Sequence, residues 1–378
     1  LIFAGNMVDL PGCFSDLDQL SYIDFSYNEF VSIPDIIFSM SNVTTLSFYR
    51  NDINYISECV NTGWISSAGK FVTKFEEMFA SFCGTRYAIA TSNGTTALHL
   101  ALLSLGIKKG DEVIVPDFTF VASANAIEMT GAKPILVDIE SKTLNLDLSK
   151  LPNLVTKRTK AIMPVDMNGR STNIIKLSEF AKKNNIFLIE DAAHAIGSYF
   201  NGKHLGNRSD VAAFSFSIPK IVTTGQGGMV ITNNKKIYEK CLSVKDFGRE
   251  FGSKIKTQTA FNHNTVGYNF KFTEFQAAIG IAQMNKLKKR IMQKKKIYKK
   301  YSEKLSNITG IDFIETNLKN TTIWSVEILL KSKKEKIRLM DYLDKRNIET
   351  RILFPPIHRM FAYKRSDSKF KITLDVSE

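Results

Sequence analysis

Phe214-Ser215-Phe216-Ser217-Ile218-Pro219-Lys220-Ile221-Val222-Thr223-Thr224-Gly225-Gln226-Gly227-Gly228 is the stretch on which the fold turns. An apolar alternating run ends in serines, one lysine follows, and a glycine-rich turn leads into another strand, Met229 to Thr232. Alternation marks a strand and glycine lets backbone approach a ligand closely, so Lys220 is expected at the end of a buried element beside pliable backbone. Asp191 lies 29 residues upstream, where Ile186 to His194 reads as a buried strand delivering a carboxylate at its C-terminal end. A lysine able to form a Schiff base and an aspartate able to hold a pyridinium nitrogen are the minimal set for pyridoxal phosphate chemistry. Many α/β proteins carry such strand-end residues, so the order and surroundings of the pair have to decide.

Around that centre the chain alternates short apolar runs with helical stretches. Lys70 to Phe82 is an amphipathic helix, with Phe71, Val72, Phe75, Met78, Phe79 and Phe82 on its apolar side. Thr91-Ser92-Asn93-Gly94-Thr95-Thr96 then opens a helix over Ala97 to Leu105, and a small polar run at a helix start is either an ordinary N-cap or a phosphate cradle. Strands are expected at Val113–Val115, Pro134–Val137, Ala161–Met163, Ile186–Ile189 and Val211–Phe216, and helices near Ala122–Met129 and Ile174–Asn184. Such alternation predicts a largely parallel sheet covered on both faces, with the site at its strand ends. After a lysine-rich helix over Lys286 to Lys300, the chain reads as a strand at Thr322–Leu330, a helix at Lys334–Arg346, and strand and turn from Ile348 to His358.

Six separated motifs in order resemble the PLP-dependent nucleotide-sugar aminotransferases of the DegT/StrS family. They are Gly63-Trp64-Ile65-Ser66-Ser67, Thr91 to Thr96, Asp117-Phe118-Thr119-Phe120-Val121, Glu190-Asp191-Ala192-Ala193-His194, the Lys220 segment, and Gly267 to Glu274. The resemblance runs from about Asn51 to the end. It implies an aspartate aminotransferase-like, fold type I α/β domain over residues 51–285 and a small C-terminal α+β domain over 286–378. It implies pyridoxal 5'-phosphate held covalently by Lys220, its ring nitrogen on Asp191, and His194 against the ring or its 3-hydroxyl. It also implies the phosphate on the Gly94 and Thr95 amides and Ser215, Phe120 stacked on the ring, and Asn269 reaching the phosphate from a second copy of the chain. Trp64, Ser66 and Ser67, Arg351 and His358 are the positions expected near the sugar and nucleotide. The implied reaction moves an amino group from an amino acid, glutamate by resemblance, to a nucleotide-linked keto sugar, a 4-keto-6-deoxy sugar being the first choice and a 3-keto sugar the second. Lys220 separates the chain from a related branch that carries histidine there and removes a sugar hydroxyl. Met163-Pro164-Val165-Asp166-Met167-Asn168-Gly169-Arg170 departs from the commoner family version, which has a histidine and a tyrosine, so Asp166, Asn168 and Arg170 are expected to alter substrate contacts.

The 378 residues, 44% hydrophobic, can bury a large core and suggest more than one domain. No apolar run approaches membrane-spanning length and no leader is read at the start. Cys13, Cys59, Cys83 and Cys241 are scattered without metal-ligand or redox spacing, so no metal site is expected, and reduced thiols suit a cytoplasmic protein. Much of the +14 net charge sits in the lysine-rich helix, where Met284, Leu287, Ile291, Tyr298, Tyr301 and Leu305 recur at helical spacing and the lysines form the wet face. Without interleaved aromatics or a binding motif that helix is not read as a nucleic-acid surface, though general positive charge would draw in an anionic nucleotide sugar.

Residues 1–50 read differently. Leu20, Ile23, Phe25, Asn28 and Phe30 recur as Val43, Leu46, Phe48, Asn51 and Ile53 with a period of 23, resembling a leucine-rich-repeat fragment. The expectation is a piece of a longer array, joined without a linker to a helix over Asp52–Val60, and a carboxyl end shorter than its relatives'. A rival reading makes the chain a repeat-based interaction protein with an inert transferase. A pyridoxal-phosphate regulator or a sugar dehydratase is a further rival, opposed by the absence of a DNA-binding module and by Lys220.

Overall fold

The computed structural model describes residues 22–24, 45–47, 50–250, 262–364 and 369–377. They divide into two compact units, 1–64 with 333–351 and 65–332 with 352–378. The chain starts with β1 (Tyr22–Asp24), β2 (Thr45–Ser47) and α1 (Arg50–Thr62), followed by α2 (Lys70–Cys83), β3 (Tyr87–Thr91), α3 (Gly94–Ser104), β4 (Glu112–Pro116), α4 (Ala122–Met129) and β5 (Lys133–Val137). Then come β6 (Thr159–Ile162), α5 (Ile174–Lys183), β7 (Phe187–Asp191), a small hairpin of β8 (Tyr199–Phe200) and β9 (Lys203–His204), β10 (Val211–Ser215), β11 (Gly228–Thr232) and α6 (Lys235–Lys245). The last elements are α7 (Glu274–Asn285), α8 (Leu287–Leu305), β12 (Ile311–Asp312), β13 (Leu329–Leu330), α9 (Lys333–Asp344) and α10 (Lys371–Ser377).

Seven strands form the central sheet in the order β3-β11-β10-β7-β6-β4-β5. Neighbours pair in parallel from β10 to β5, and β11 alone runs against the rest, between β3 and β10. Strand alternation sorts the side chains into two cores, because successive residues point to opposite faces. Val113, Val115, Ala161, Ile189 and Ala213 join residues of α3, α4 and α6 on one face. Ile114, Ile162 and Leu188 join Ile174, Leu177 and Ala181 of α5 on the other. This is the α/β layered sheet the sequence predicts, with Asp191 and Ser215 at the C-terminal ends of β7 and β10.

The Phe214–Ser217 alternation explains how the sheet aims Ser215. Phe214 and Phe216 project together into an aromatic cluster, with ring centroids 5.0 and 5.4 Å from Phe79 and Phe216 at 5.2 Å from Phe75. Ser215 therefore faces the opposite way, towards the start of α3. The same cluster holds Phe272, just ahead of α7. Glu274, buried on the first turn of α7, accepts the backbone N–H groups of Phe71 and Val72 at 2.7 and 3.0 Å and so caps α2, which has no side-chain cap of its own. Gly69 leaves room for it: a Cβ there would fall 2.5 Å from the Glu274 carboxylate and push the capping group aside.

Three expectations are corrected. The strand read at Thr322–Leu330 is only Leu329–Leu330, paired with Ile311–Asp312; residues 322–325 are irregular because their backbone bonds go to Ser198 and Asn168 instead of a neighbouring strand. No strand forms between Ile348 and His358; that segment ends in a single 3-10 turn, Ile357–Arg359. The lysine-rich helix forms as α8, but its basic face is not wholly wet: Lys294 donates to the Trp324 carbonyl at 2.8 Å and Arg290 to the Ile221 carbonyl at 3.2 Å. The repeat reading of residues 1–50 lies mostly outside the described residues; β1 and β2 pair in parallel with Tyr22 opposite Thr45.

The Glu274 cap yields a stability prediction. Glu274→Ala leaves two buried N–H groups without acceptors and should cost about 1–3 kcal/mol in urea unfolding. Glu274→Gln, which keeps one acceptor oxygen, should lose less.

Candidate active site

Three chain segments converge at the strand ends. The first is the start of α3, where the Asn93 side chain accepts the Thr96 N–H at 2.9 Å and the Thr96 hydroxyl accepts the Asn93 N–H at 3.1 Å. This capping box leaves the Gly94 and Thr95 N–H groups, at the positive end of an 11-residue helix, unused by any described bond. Gly94 abuts Ser215: a Cβ there would lie 2.8 Å from the serine Cβ and 3.0 Å from its hydroxyl. Two open amides and one hydroxyl thus share a small cradle suited to an anion.

The second segment is the end of β7. The Asp191 carboxylate accepts the Ser123 hydroxyl at 2.6 Å and the Ala193 N–H at 3.2 Å. Burial pushes its pKa up, while these two bonds and the Lys220 charge pull it back. Asp166 and Glu190 are buried beside it. Burial raises Asp166 well above the usual range, with the Glu190 and Asp191 charges adding to the rise, and burial lifts Glu190 to about 7. Of the three carboxyls Asp191 holds the best donors, and these favour its charged form.

The third is the turn after β10. Lys220 is partly buried there, which lowers its pKa to about 8 against the opposing pull of Asp191. Its Nζ sits 4.7 Å from the Trp324 ring centroid. His194 stacks on the same indole at 4.2 Å and 11°. The His194 Nδ1 accepts the Asn168 N–H at 3.4 Å, which leaves the ring hydrogen on Nε2. Burial, then the Lys220 and Arg170 charges, hold the imidazole pKa well below its ordinary value, so it is neutral at pH 7. Lys220, His194, Ile221, Thr322, Ile323 and Trp324 line one recess.

A lysine of depressed basicity in the turn after a strand, a buried aspartate with two donors and a helix-start anion cradle define, on a seven-stranded sheet of this order, a pyridoxal-phosphate-dependent aminotransferase. The chain belongs to the DegT/DnrJ/EryC1/StrS aminotransferase family, whose sequence profile matches residues 47–378. It is 40% identical over 322 residues to the GDP-perosamine synthase of Escherichia coli, covering 85% of this chain and 86% of that one. To the GDP-perosamine synthase of Caulobacter vibrioides it is 40% identical over 318 residues, covering 83% and 84%. Among solved structures, 3-amino-5-hydroxybenzoic acid synthase superposes with a TM-score of 0.82 at 28% identity, covering 88% of this chain and 89% of that one. The chain is a sugar aminotransferase of amino-sugar biosynthesis, it uses pyridoxal phosphate, and it acts on a keto sugar and an amino-acid donor.

The residues present fit that cofactor. The open Gly94 and Thr95 amides and Ser215 suit its phosphate, the charged Asp191 its ring nitrogen, and Lys220 its aldehyde. Phe120 stands exposed just before α4, its ring 5.8 Å from Phe354. Asn269 is exposed, bridged by backbone to Asp246. Ser66 is exposed, and its carbonyl accepts the Glu274 N–H at 2.6 Å. Trp64 and Arg351 belong to the other unit; Trp64 is exposed, and the Arg351 guanidinium pairs with Glu349 at 2.8 Å. His358, expected near the nucleotide, is 0% exposed, with its Nδ1 2.6 Å from Asp117 and its ring stacked on Phe370.

Asp166, Asn168 and Arg170, read as modifiers of substrate contacts, are buried, and the side chains of Asn168 and Arg170 are engaged within the chain. Arg170 pairs with Glu327 at 2.7 Å, and Asn168 holds the Trp324–Ser325 backbone. Sequence reasoning missed Ser123, Trp324 and Phe354. Ser123 carries no motif signal, and Trp324 was hidden inside an expected strand.

The lowered Lys220 pKa sets a pH prediction. A depressed pKa means the neutral, nucleophilic amine appears as pH rises through about 8. Capture of pyridoxal phosphate by the cofactor-free protein, followed by visible absorbance, should therefore accelerate from pH 6 and level off above that midpoint. Lys220→Ala should give no slow absorbance change at any pH.

Proposed function

We propose that this enzyme transfers the amino group of glutamate to C4 of a GDP-linked 4-keto-6-deoxy sugar, giving a perosamine-type product. The single observation that carries this reading is the 40% identity to two GDP-perosamine synthases over more than four-fifths of each chain. Bound in the site, pyridoxal phosphate supplies the electron sink and carries the amino group between donor and acceptor. The chain's own residues do the rest. Lys220 Nζ binds the cofactor covalently and moves the proton at the donor's α-carbon. Asp191 holds a positive charge at the ring nitrogen, and Ser123 and the Ala193 N–H fix that carboxylate. Neutral His194 offers a hydrogen-bond donor at Nε2, and the start of α3 with Ser215 binds the phosphate. Phe120 covers the ring.

We further infer a homodimer in which the exposed Asn269 reaches the phosphate bound by the second copy, in keeping with its lack of any described side-chain bond within its own chain. Trp64, Ser66 and Arg351 are assigned to the sugar nucleotide. His358 is assigned to this region through the loop it fixes: its N–H and ring both bind Asp117, three residues before Phe120. The transferase spans residues 51–378, with its large part to 285, and works in the cytoplasm, which suits the buried thiols of Cys83 and Cys241.

The test is the visible spectrum of the purified chain with pyridoxal phosphate before and after glutamate, with Lys220→Ala beside it. The expected result is a Lys220-dependent band that bleaches with glutamate and returns with a GDP-linked 4-keto-6-deoxy sugar. Return of the band with 3-keto sugars alone would move the ketone assignment, and absence of any Lys220-dependent band in folded protein would sink the catalytic reading.

A further inference from the structure

We propose that Trp324 is a positioning residue for this reaction: its indole is the plate on which Lys220 and His194 are both set, and Asn168 fixes the plate. The indole meets three partners. Lys220 Nζ lies over its face at 4.7 Å, the His194 ring stacks nearly parallel to it at 4.2 Å, and its Nε1 donates to the Pro219 carbonyl at 2.9 Å. The last bond ties the plate to the residue directly before Lys220. One side chain therefore sets both the amine and the imidazole of the site.

The plate itself lies on backbone that no sheet supports. Asn168 replaces the missing strand partner: its Oδ1 accepts the Trp324 and Ser325 N–H groups at 2.6 and 2.9 Å, and its Nδ2 donates to the Ser325 carbonyl at 2.8 Å. Its own N–H reaches His194 Nδ1, so Asn168 fixes both rings of the stack. Asn168 is fully buried and sits at φ 52°, a left-handed conformation that asparagine tolerates better than most residues. From α8, Lys294 holds the Trp324 carbonyl and Arg290 the Ile221 carbonyl, on either side of the contact.

An aromatic face stabilises a cation, and an apolar cover destabilises it. The indole does both to Lys220, and substitution separates the two effects. The other ionisable groups around Lys220 are Asp191, neutral His194, Asp166, whose pKa burial raises, and Arg170, Arg290 and Lys294. Trp324→Leu keeps cover without a π face, so the amine's titration midpoint should fall, by about half a unit to one unit for a partly buried cation–π contact. Trp324→Ala lets water reach the amine, and the midpoint should rise towards an ordinary lysine. Trp324→Phe keeps both features and should restore a near wild-type midpoint.

The experiment is the pH dependence of pyridoxal phosphate capture by the cofactor-free protein and its three variants, with kcat and KM for donor and acceptor and a thermal melt for each. Opposite shifts in the Leu and Ala variants, a kcat loss of about tenfold or more with KM for the donor little changed, and rescue by Phe support the plate. A packing role alone would lower the melting temperature and leave the midpoint at its wild-type value in every folded variant; that result overturns the proposal. Should Trp324→Ala not fold, the downward shift in Trp324→Leu decides by itself. The inference rests on Lys220 as the reactive amine: wild-type protein that captures no cofactor overturns both readings, whereas capture indifferent to Trp324 overturns only this one.

Discussion

The site depends on two opposite charges kept partly out of water, Asp191 and Lys220. Removing either ion from water is costly unless nearby groups replace the lost hydration. Asp191 receives that replacement from the Ser123 hydroxyl and the Ala193 amide. Asp166 and Glu190 have none as good, and they respond by shifting towards their protonated forms. The strand end at Asp191 is thus where a negative charge is best held in this cluster. Lys220 answers its own partial burial by a lower pKa, which is the condition for an amine to react near neutrality.

The sheet makes this arrangement possible because alternation along a strand assigns faces without further instruction. Phe214 and Phe216 anchor in the aromatic cluster, and Ser215 is turned towards Gly94 as a consequence. The lone antiparallel strand β11 completes the frame, pairing Gly228 with both Thr91 and Ser215. A Cβ at Gly228 would lie 2.7 Å from the Thr91 hydroxyl, so glycine is needed where these three strands meet the cradle. Beside this regular frame stands the irregular segment at Thr322–Ser325, whose backbone is satisfied by side chains: the Ser198 hydroxyl, Asn168 and Lys294. Buried backbone groups need partners in either case. Here the partners are discrete residues, so the position of the indole is bound to their identity.

Much of this was legible in the chain. Apolar periodicity placed most helices and strands of the sheet within a few residues, because burial on two faces leaves a near-continuous apolar run in each parallel strand. The lysine, the aspartate and the helix-start cradle were legible because each is a local pattern. The strand read at Thr322–Leu330 failed because its apolar, β-branched residues suit a strand, yet the tertiary structure gives its first part no neighbour to pair with. The lysines of α8 were read as a wet face from periodicity, which does not reveal that Arg290 and Lys294 turn back to carbonyls distant in sequence.

The sequence by itself determined the α/β layering and put Lys220, Asp191, Gly94, Thr95 and Ser215 near strand ends and a helix start, since these follow from local pattern; the class of chemistry came from the family motifs that surround them. Only the tertiary structure decided which carboxyl of three receives good donors, that His194 is neutral, that His358 is spent on Asp117, and that Lys220 lies over Trp324. Those outcomes rest on desolvation and on contacts between residues up to 241 positions apart. Neither quantity is written in any short stretch of chain.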